Sequence, residues 1–211
     1  MEILTEISTM MQRGKVKDVL ALVQQALDDG VDAKTILDDA LLSAMGVVGD
    51  KFKNNLVFVP EVLIAARAMN KGIEILKPYL SDENNEPKGK IILGTVKGDL
   101  HDIGKNLVKI MMEGKGIEVI DLGVDVPSER FVEAAKEYNV KLICCSALLT
   151  TTMGEMKNVV NLVNADKDLA GKAKVMIGGA PVTQAFCDEI GANIFTDDAA
   201  SAAEVALQNL N

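Results

Sequence analysis

Apolar residues recur at helical spacing over the first eighty positions and then bunch into short runs from position 90 onward. Val16, Val19, Leu20, Val23, Ala26 and Leu27 fall on one helix face. Leu37, Ala40, Leu41, Ala44, Val47 and Val48 form a second stripe, and Val62, Ala66, Met69, Ile73 and Leu76 a third. Gly30 sits where a helix stops, Asp32 can cap the next one, and Pro60 falls in a first turn, where its missing N–H is not needed. With a short helix near residues 2–12, the pattern predicts four helices in a small antiparallel bundle.

The run SDENNEPKG at 81–89 has no large apolar residue and reads as a linker. Beyond it, apolar runs at 91–96, 117–122, 141–147 and 174–177, with a weaker one at 193–195, predict strands. Amphipathic stretches at 103–113, 127–138, 153–164, 182–190 and 198–210 separate or follow them. Five strand–helix repeats with strands this apolar imply a parallel sheet covered on both faces. The expected architecture is thus an all-α four-helix bundle (1–80), a linker (81–89) and a flavodoxin-like, Rossmann-like α/β domain with a five-stranded parallel sheet (90–211). In the order 2-1-3-4-5 the turns after strands 1 and 3 would face one crevice, where such sheets bind ligands.

Charge and composition remove several functions. The 211 residues include 22 Lys or Arg and 31 Asp or Glu, a net charge of −9, whereas a general nucleic-acid binder needs a basic face. No apolar run is long enough to span a bilayer, and the N-terminus does not read as a signal peptide. A cytoplasmic chain with reduced thiols, bound to neither nucleic acid nor membrane, is expected. There is one histidine, His101, and three cysteines, of which Cys144 and Cys145 are adjacent, a poor spacing for zinc. Cys187 lies in a predicted helix with no histidine to activate it, so Cys–His and Ser–His–Asp enzymes are disfavoured. The ten methionines read as core filling.

The chemistry-bearing residues gather in three turns. The segment after the first strand is GTVKGDLHDIGKN (94–106), with Asp99, His101 and Gly104. The turn after strand 3 runs SALLTTT (146–152), with four hydroxyls, and the turn after strand 4 is Gly178-Gly179-Ala180. A metal-bound imidazole usually donates its other N–H to a carboxylate. Asp99 can take that role for His101, and Thr152 can supply a hydroxyl to Asp99. Asp-x-His alone is a common surface pairing; the glycines and hydroxyls on the same rim turn it into a candidate site. One nitrogen cannot hold a bare ion firmly, so the metal should arrive inside a cofactor.

Asp99-x-His101-x-x-Gly104, Ser146-x-Leu148 and Gly178-Gly179 together resemble the cobalamin-binding signature of corrinoid proteins, a family that includes methionine synthase and the small corrinoid methyl carriers. VVGDKFKNNLVFVPEVLIAARAM (47–69) resembles the helical cap that precedes their cobalamin domain. The resemblance spans nearly the whole chain. It implies cobalamin, as methylcobalamin or a related corrinoid, with His101 as lower axial ligand to cobalt and with Asp99 and Thr152 as the relay adjusting its proton state. Thr152 stands where methionine synthase has a serine. Ser146, Thr150, Gly104, Gly178 and Gly179 match positions that line the channel for the displaced nucleotide tail, and Leu148 is a further cofactor-binding position of the signature. Phe52 and Val59 match cap residues over the methyl-bearing face, although Val59 replaces the usual leucine.

The function the resemblance implies is methyl carriage in one-carbon metabolism. A substrate:corrinoid methyltransferase, a barrel enzyme, would load the cobalt, and a corrinoid:acceptor methyltransferase would unload it to tetrahydrofolate or a thiol coenzyme. A reductive activase would complete the system, and the chain would not turn over alone. Methanol, methylamines, quaternary amines and methoxyaromatics are all candidate donors. The rival readings are a cobalamin-dependent regulator or light sensor and the small subunit of a cobalamin mutase. The chain leaves no room for a DNA-binding module and has no Trp for the sensor's cap. Mutase small subunits do not normally carry the helical cap motif.

Overall fold

The computed structural model describes residues 2–80 and 87–210; residues 81–86 of the expected linker lie outside these. The chain divides into two compact units, Met1–Pro87 with Gly114–Gly116, and Lys88–Glu113 with Ile117–Asn211.

The first unit is helical. Helices α1 (Glu2–Gln12) and α2 (Val16–Asp28) are followed by α3 (Ala33–Thr35), a π-helical stretch (Ile36–Leu42), α4 (Ser43–Lys53) and α5 (Val59–Leu76). At the end of α2, the Val31 N–H reaches back to the Ala26 carbonyl (2.9 Å) and the Gly30 N–H to that of Leu27 (3.0 Å). Asp32 then caps α3, accepting the Thr35 N–H at 2.9 Å. From α3 to α4 the backbone stays helical at each junction, so the single stripe predicted over 37–48 lies on one helical run whose middle turns are widened. Ile7, Met11, Val23, Ile36, Leu41, Met45, Met69 and Leu76 form the buried interior of the bundle.

The second unit alternates β1 (Lys90–Thr95), α6 (Ile103–Glu113), β2 (Glu118–Asp121), α7 (Ser128–Glu137), β3 (Leu142–Ser146), α8 (Met153–Ala165), β4 (Lys174–Gly178), α9 (Gln184–Ile190), β5 (Ile194–Phe195) and α10 (Ala199–Leu210). All neighbouring strands pair parallel, in the order β2-β1-β3-β4-β5. The middle strands β1, β3 and β4 are buried on both faces, which is why they read as near-continuous apolar runs. Helices α7, α8 and α9 bury Phe131, Met156, Val160 and Cys187 against Ile92, Ile143, Cys145 and Ile177. Helices α6 and α10 pack on each other and on β1 and β3 respectively.

Two features of this packing position the loops. A Cβ on Gly94 would stand 2.9 Å from the Phe131 ring, so only glycine lets α7 lie this close to β1. Thr95, Ser146 and Gly178 stand in register across β1, β3 and β4. The three turns singled out from the sequence therefore leave the sheet from one line. No helix among the described residues is long and apolar enough to cross a membrane.

Phe131 is fully buried at the junction of α7 and the sheet. Phe131→Ala is expected to destabilise the α/β unit by about 3–5 kcal/mol, read as a lower urea midpoint for its unfolding.

Candidate functional site

The β1–α6 loop begins with a turn in which the Asp99 N–H donates to the Val96 carbonyl at 3.2 Å and Gly98 adopts φ 80°. A positive φ at the third position is what such a turn requires, and glycine takes it without strain. The turn sends the Asp99 side chain inward and leaves His101 outward. Asp99 has no exposed surface, whereas the His101 side chain is 50% exposed.

The Asp99 carboxylate is met on both oxygens. Oδ1 accepts the His101 backbone N–H at 3.1 Å and lies 2.8 Å from His101 Nδ1. Oδ2 accepts the backbone N–H groups of Leu148 (2.8 Å) and Leu149 (3.1 Å) and lies 2.9 Å from the buried Thr152 hydroxyl. That hydroxyl is also 2.9 Å from the Leu149 carbonyl, so its single proton serves one of two acceptors. Burial by itself would raise the pKa of Asp99. Hydrogen bonds from the His101 N–H, the Leu148 N–H, the His101 ring and the Leu149 N–H outweigh it and hold the carboxyl well below the usual carboxylate range. Thr95, wholly buried, donates its hydroxyl to the His101 carbonyl at 3.0 Å, which anchors the loop to the end of β1.

With Nδ1 held by Asp99, His101 Nε2 has no partner among the described residues. The loops at this edge expose apolar side chains beside the polar Asp102 and Thr150. Leu100 and Ile103 are 70% and 75% exposed, and Val124, Leu148 and Leu149 are also exposed. A Cβ added at Gly104 would meet nothing within 4 Å, and one at Gly178 only the Thr196 carbonyl at 3.9 Å. Gly179, at φ 137°, lies so close to the Ala147 carbonyl that a Cβ would collide with it. Ser146 is half-buried at the end of β3, and Thr150 is exposed in the following turn. One unpartnered nitrogen on an exposed imidazole, exposed apolar side chains on the loops of this edge and open space at two glycines fit a large, flat, metal-bearing cofactor such as a corrinoid. No cluster of three or more His, Cys, Asp or Glu among the described residues is arranged to hold a metal ion.

The structure thus ties His101, Leu148 and Thr152 to Asp99, with Gly104 in the first turn of α6, Ser146 and Gly178 at the ends of β3 and β4, and Thr150 and Gly179 on the turns of the same sheet edge. Phe52, in the last turn of α4, and Val59, the first residue of α5, are half-buried in the helical unit. Sequence reasoning missed the Leu149 amide, which carries no side-chain signal. It also passed over Lys105, buried in the first turn of α6, whose Nζ lies 2.7 and 2.8 Å from the two oxygens of Asp121 at the end of β2. Burial works against the charge on Asp121, but the Lys105 and Gly123 hydrogen bonds and the Lys105 and Lys109 charges lower its pKa. A lysine seven residues from Met112, on the apolar stripe of α6, was the signal available. The three thiols are buried; burial pushes Cys144 up to about 12 and raises Cys145 and Cys187 as well.

A B12 binding domain matches residues 89–207, and a second B12 binding domain matches residues 3–77. This chain belongs to the B12-binding corrinoid proteins. It is 41% identical over 210 residues to dimethylamine corrinoid protein 1 of Methanosarcina acetivorans, covering 99% of this chain and 98% of that one. It is 39% identical over 209 residues to a corrinoid protein of Desulfitobacterium hafniense, covering 98% and 96%. Among solved structures it resembles the methanol:cobalamin methyltransferase complex MtaBC of Methanosarcina barkeri, with a TM-score of 0.87 and 32% identity over 99% of this chain and 80% of that one. The two-part architecture and the corrinoid cofactor expected from the sequence are those of this family.

Asp99 lends stability as an anion. Its pKa is lowered on folding, so that contribution is complete above the unfolded-state value of about 3.9 and is lost as pH falls towards the folded value. Asp99→Asn is expected to cost roughly 2–3 kcal/mol near neutral pH. In urea unfolding at a series of pH values, the gap between the two proteins should narrow below about pH 4.

Proposed function

We propose that this chain carries a methyl group on the cobalt of a bound corrinoid, between a substrate:corrinoid methyltransferase and a second methyltransferase. The second enzyme passes the group to an acceptor such as tetrahydrofolate or a thiol coenzyme. The observation that carries this reading is the half-exposed His101 ring, held at Nδ1 by a buried carboxylate and without a partner at Nε2 among the described residues. When bound, the corrinoid supplies a cobalt–carbon bond from which a nucleophile can take the methyl group.

The chain's own residues then have separable tasks. His101 would hold the cobalt from below through Nε2. Asp99 fixes the tautomer and the plane of the imidazole by holding Nδ1, a bond that also raises ligand basicity. Thr152 and the Leu148 and Leu149 amides hold Asp99 in turn, so a proton taken up within this group weakens the hold on the imidazole. Gly104, Ser146, Thr150, Gly178 and Gly179 would line the path of the displaced nucleotide tail, with Leu148 a further cofactor-binding residue. Phe52 and Val59, which match the family's cap residues, are the candidates in the helical unit for shielding the methyl group. A barrel methyltransferase, an acceptor methyltransferase and a reductive activase are the partners, and the reduced thiols suit a cytoplasmic setting. Relatives named for dimethylamine and trimethylamine make methylamines the first donors to test.

The test uses the full chain loaded with cobalamin and reduced to cobalt(II). Electron paramagnetic resonance should show splitting by one axial nitrogen, lost in His101→Ala, with methyl transfer from a methylamine and its partner enzyme slowed at least about tenfold. Unchanged spectra and transfer in His101→Ala would overturn the reading. So would an adenosylcobalamin form with isomerase activity on adding a large subunit.

A further inference from the structure

The last residue of β2, Asp121, and the β2–α7 loop, residues 122–127, together grip the segment that carries His101 on both sides. Ahead of His101, Asp125 Oδ1 accepts the Gly98 N–H at 2.7 Å, and the Asp125 N–H donates to the Asp99 carbonyl at 3.0 Å. Behind His101, Lys105 is buried and pairs with both oxygens of Asp121, and Asp121 Oδ1 also accepts the Gly123 N–H at 2.9 Å. The loop is itself tied to β1, since the Thr95 N–H reaches the Gly123 carbonyl (2.9 Å) and the Val126 N–H reaches the Thr95 carbonyl (3.0 Å).

Asp125 is exposed, so burial does not explain its geometry. Its backbone lies at φ 53°, in the left-handed region that aspartate and asparagine enter more readily than other side-chain-bearing residues. In that conformation one residue satisfies the two groups of the Gly98–Asp99 segment that point away from the turn. The Asp99 side chain is fixed from the opposite side by the β3–α8 loop, through Leu148, Leu149 and Thr152. Asp99 is therefore clamped by its main chain to one loop and by its side chain to another, and His101 hangs from it by two bonds.

We propose that Asp125 is a positioning residue for axial ligation: by bonding the Gly98 N–H and the Asp99 carbonyl it holds the His101 loop at the height from which Nε2 reaches the metal. This inference rests on His101 being the axial ligand. It assigns to the β2–α7 loop a control over whether the histidine is coordinated that is separate from that of Asp99 and Thr152. A partner protein that touched this exposed loop could shift the balance without touching the histidine.

The experiment uses the full chain, grown with ¹⁵N-labelled histidine, loaded with cobalamin and reduced to cobalt(II). His101 is the only histidine, so the label marks one side chain. Bound ¹⁵N-histidine splits each cobalt line into two, while added unlabelled imidazole splits it into three, and both can be read in one spectrum. Asp125→Asn keeps a carboxamide oxygen for Gly98 and tolerates the left-handed backbone. Asp125→Gly keeps the backbone and removes the acceptor.

The imidazole concentration that replaces half of the doublet is expected to fall about fivefold in Asp125→Gly, the effect of one lost hydrogen bond, and to stay within about twofold of wild type in Asp125→Asn. A wild-type midpoint in Asp125→Gly, or an equal loss in Asp125→Asn, overturns the proposal and leaves the His101 reading standing. A wild-type spectrum insensitive to the label overturns both.

Discussion

A carboxylate with no exposed surface is the feature on which this sheet edge depends. Burying an isolated charge costs several kcal/mol, and Asp99 is tolerated only because donors from two loops converge on it. The arrangement works in both directions. The donors keep the carboxylate ionised, and the carboxylate fixes the donors, so that the β1–α6 and β3–α8 loops cannot shift independently without leaving a charge or two amides unpaired. The imidazole inherits its orientation from this knot.

The knot forms where it does because of strand order. β1 and β3 are neighbours at the point where the sheet reverses direction of growth, so the loops leaving them flank one crevice. Thr95, Ser146 and Gly178 end their strands in register, and glycine at 94 lets α7 pack tightly under that line. The fold thus delivers rigid strand ends, and the site's variable chemistry is confined to the turns that follow them.

Much of this was legible in the sequence, for identifiable reasons. Strands buried on both faces must be apolar throughout, and helices packed on one side must be striped, so the alternation from 90 onward could be read directly. The π-helical turns at 36–42 were hidden, because widening a helix by one residue barely disturbs a stripe made of adjacent pairs such as Leu37 and Ala40–Leu41. At the site, residue types announced Asp99, His101 and Thr152. The amides of Leu148 and Leu149 could not be seen, since every residue has an N–H and only the path of the loop decides where it points. Asp125 escaped for a related reason: its side chain bonds a backbone group 27 positions away. Lys105 was masked by its polarity, which suggests a surface position although it shares the buried face of α6.

The buried thiols have a consequence for the stability of the loaded protein. Sulfur attacks an electrophilic carbon as thiolate, not as thiol. Cys144, with its pKa pushed up to about 12, and Cys145, raised well above its ordinary value, remain protonated at neutral pH beneath the helices. On the proposed function, a methyl group on the bound corrinoid would be an alkylating agent beside the chain, and thiolates would be its first targets. Here the most nucleophilic side chains are kept inert by the same packing that builds the sheet.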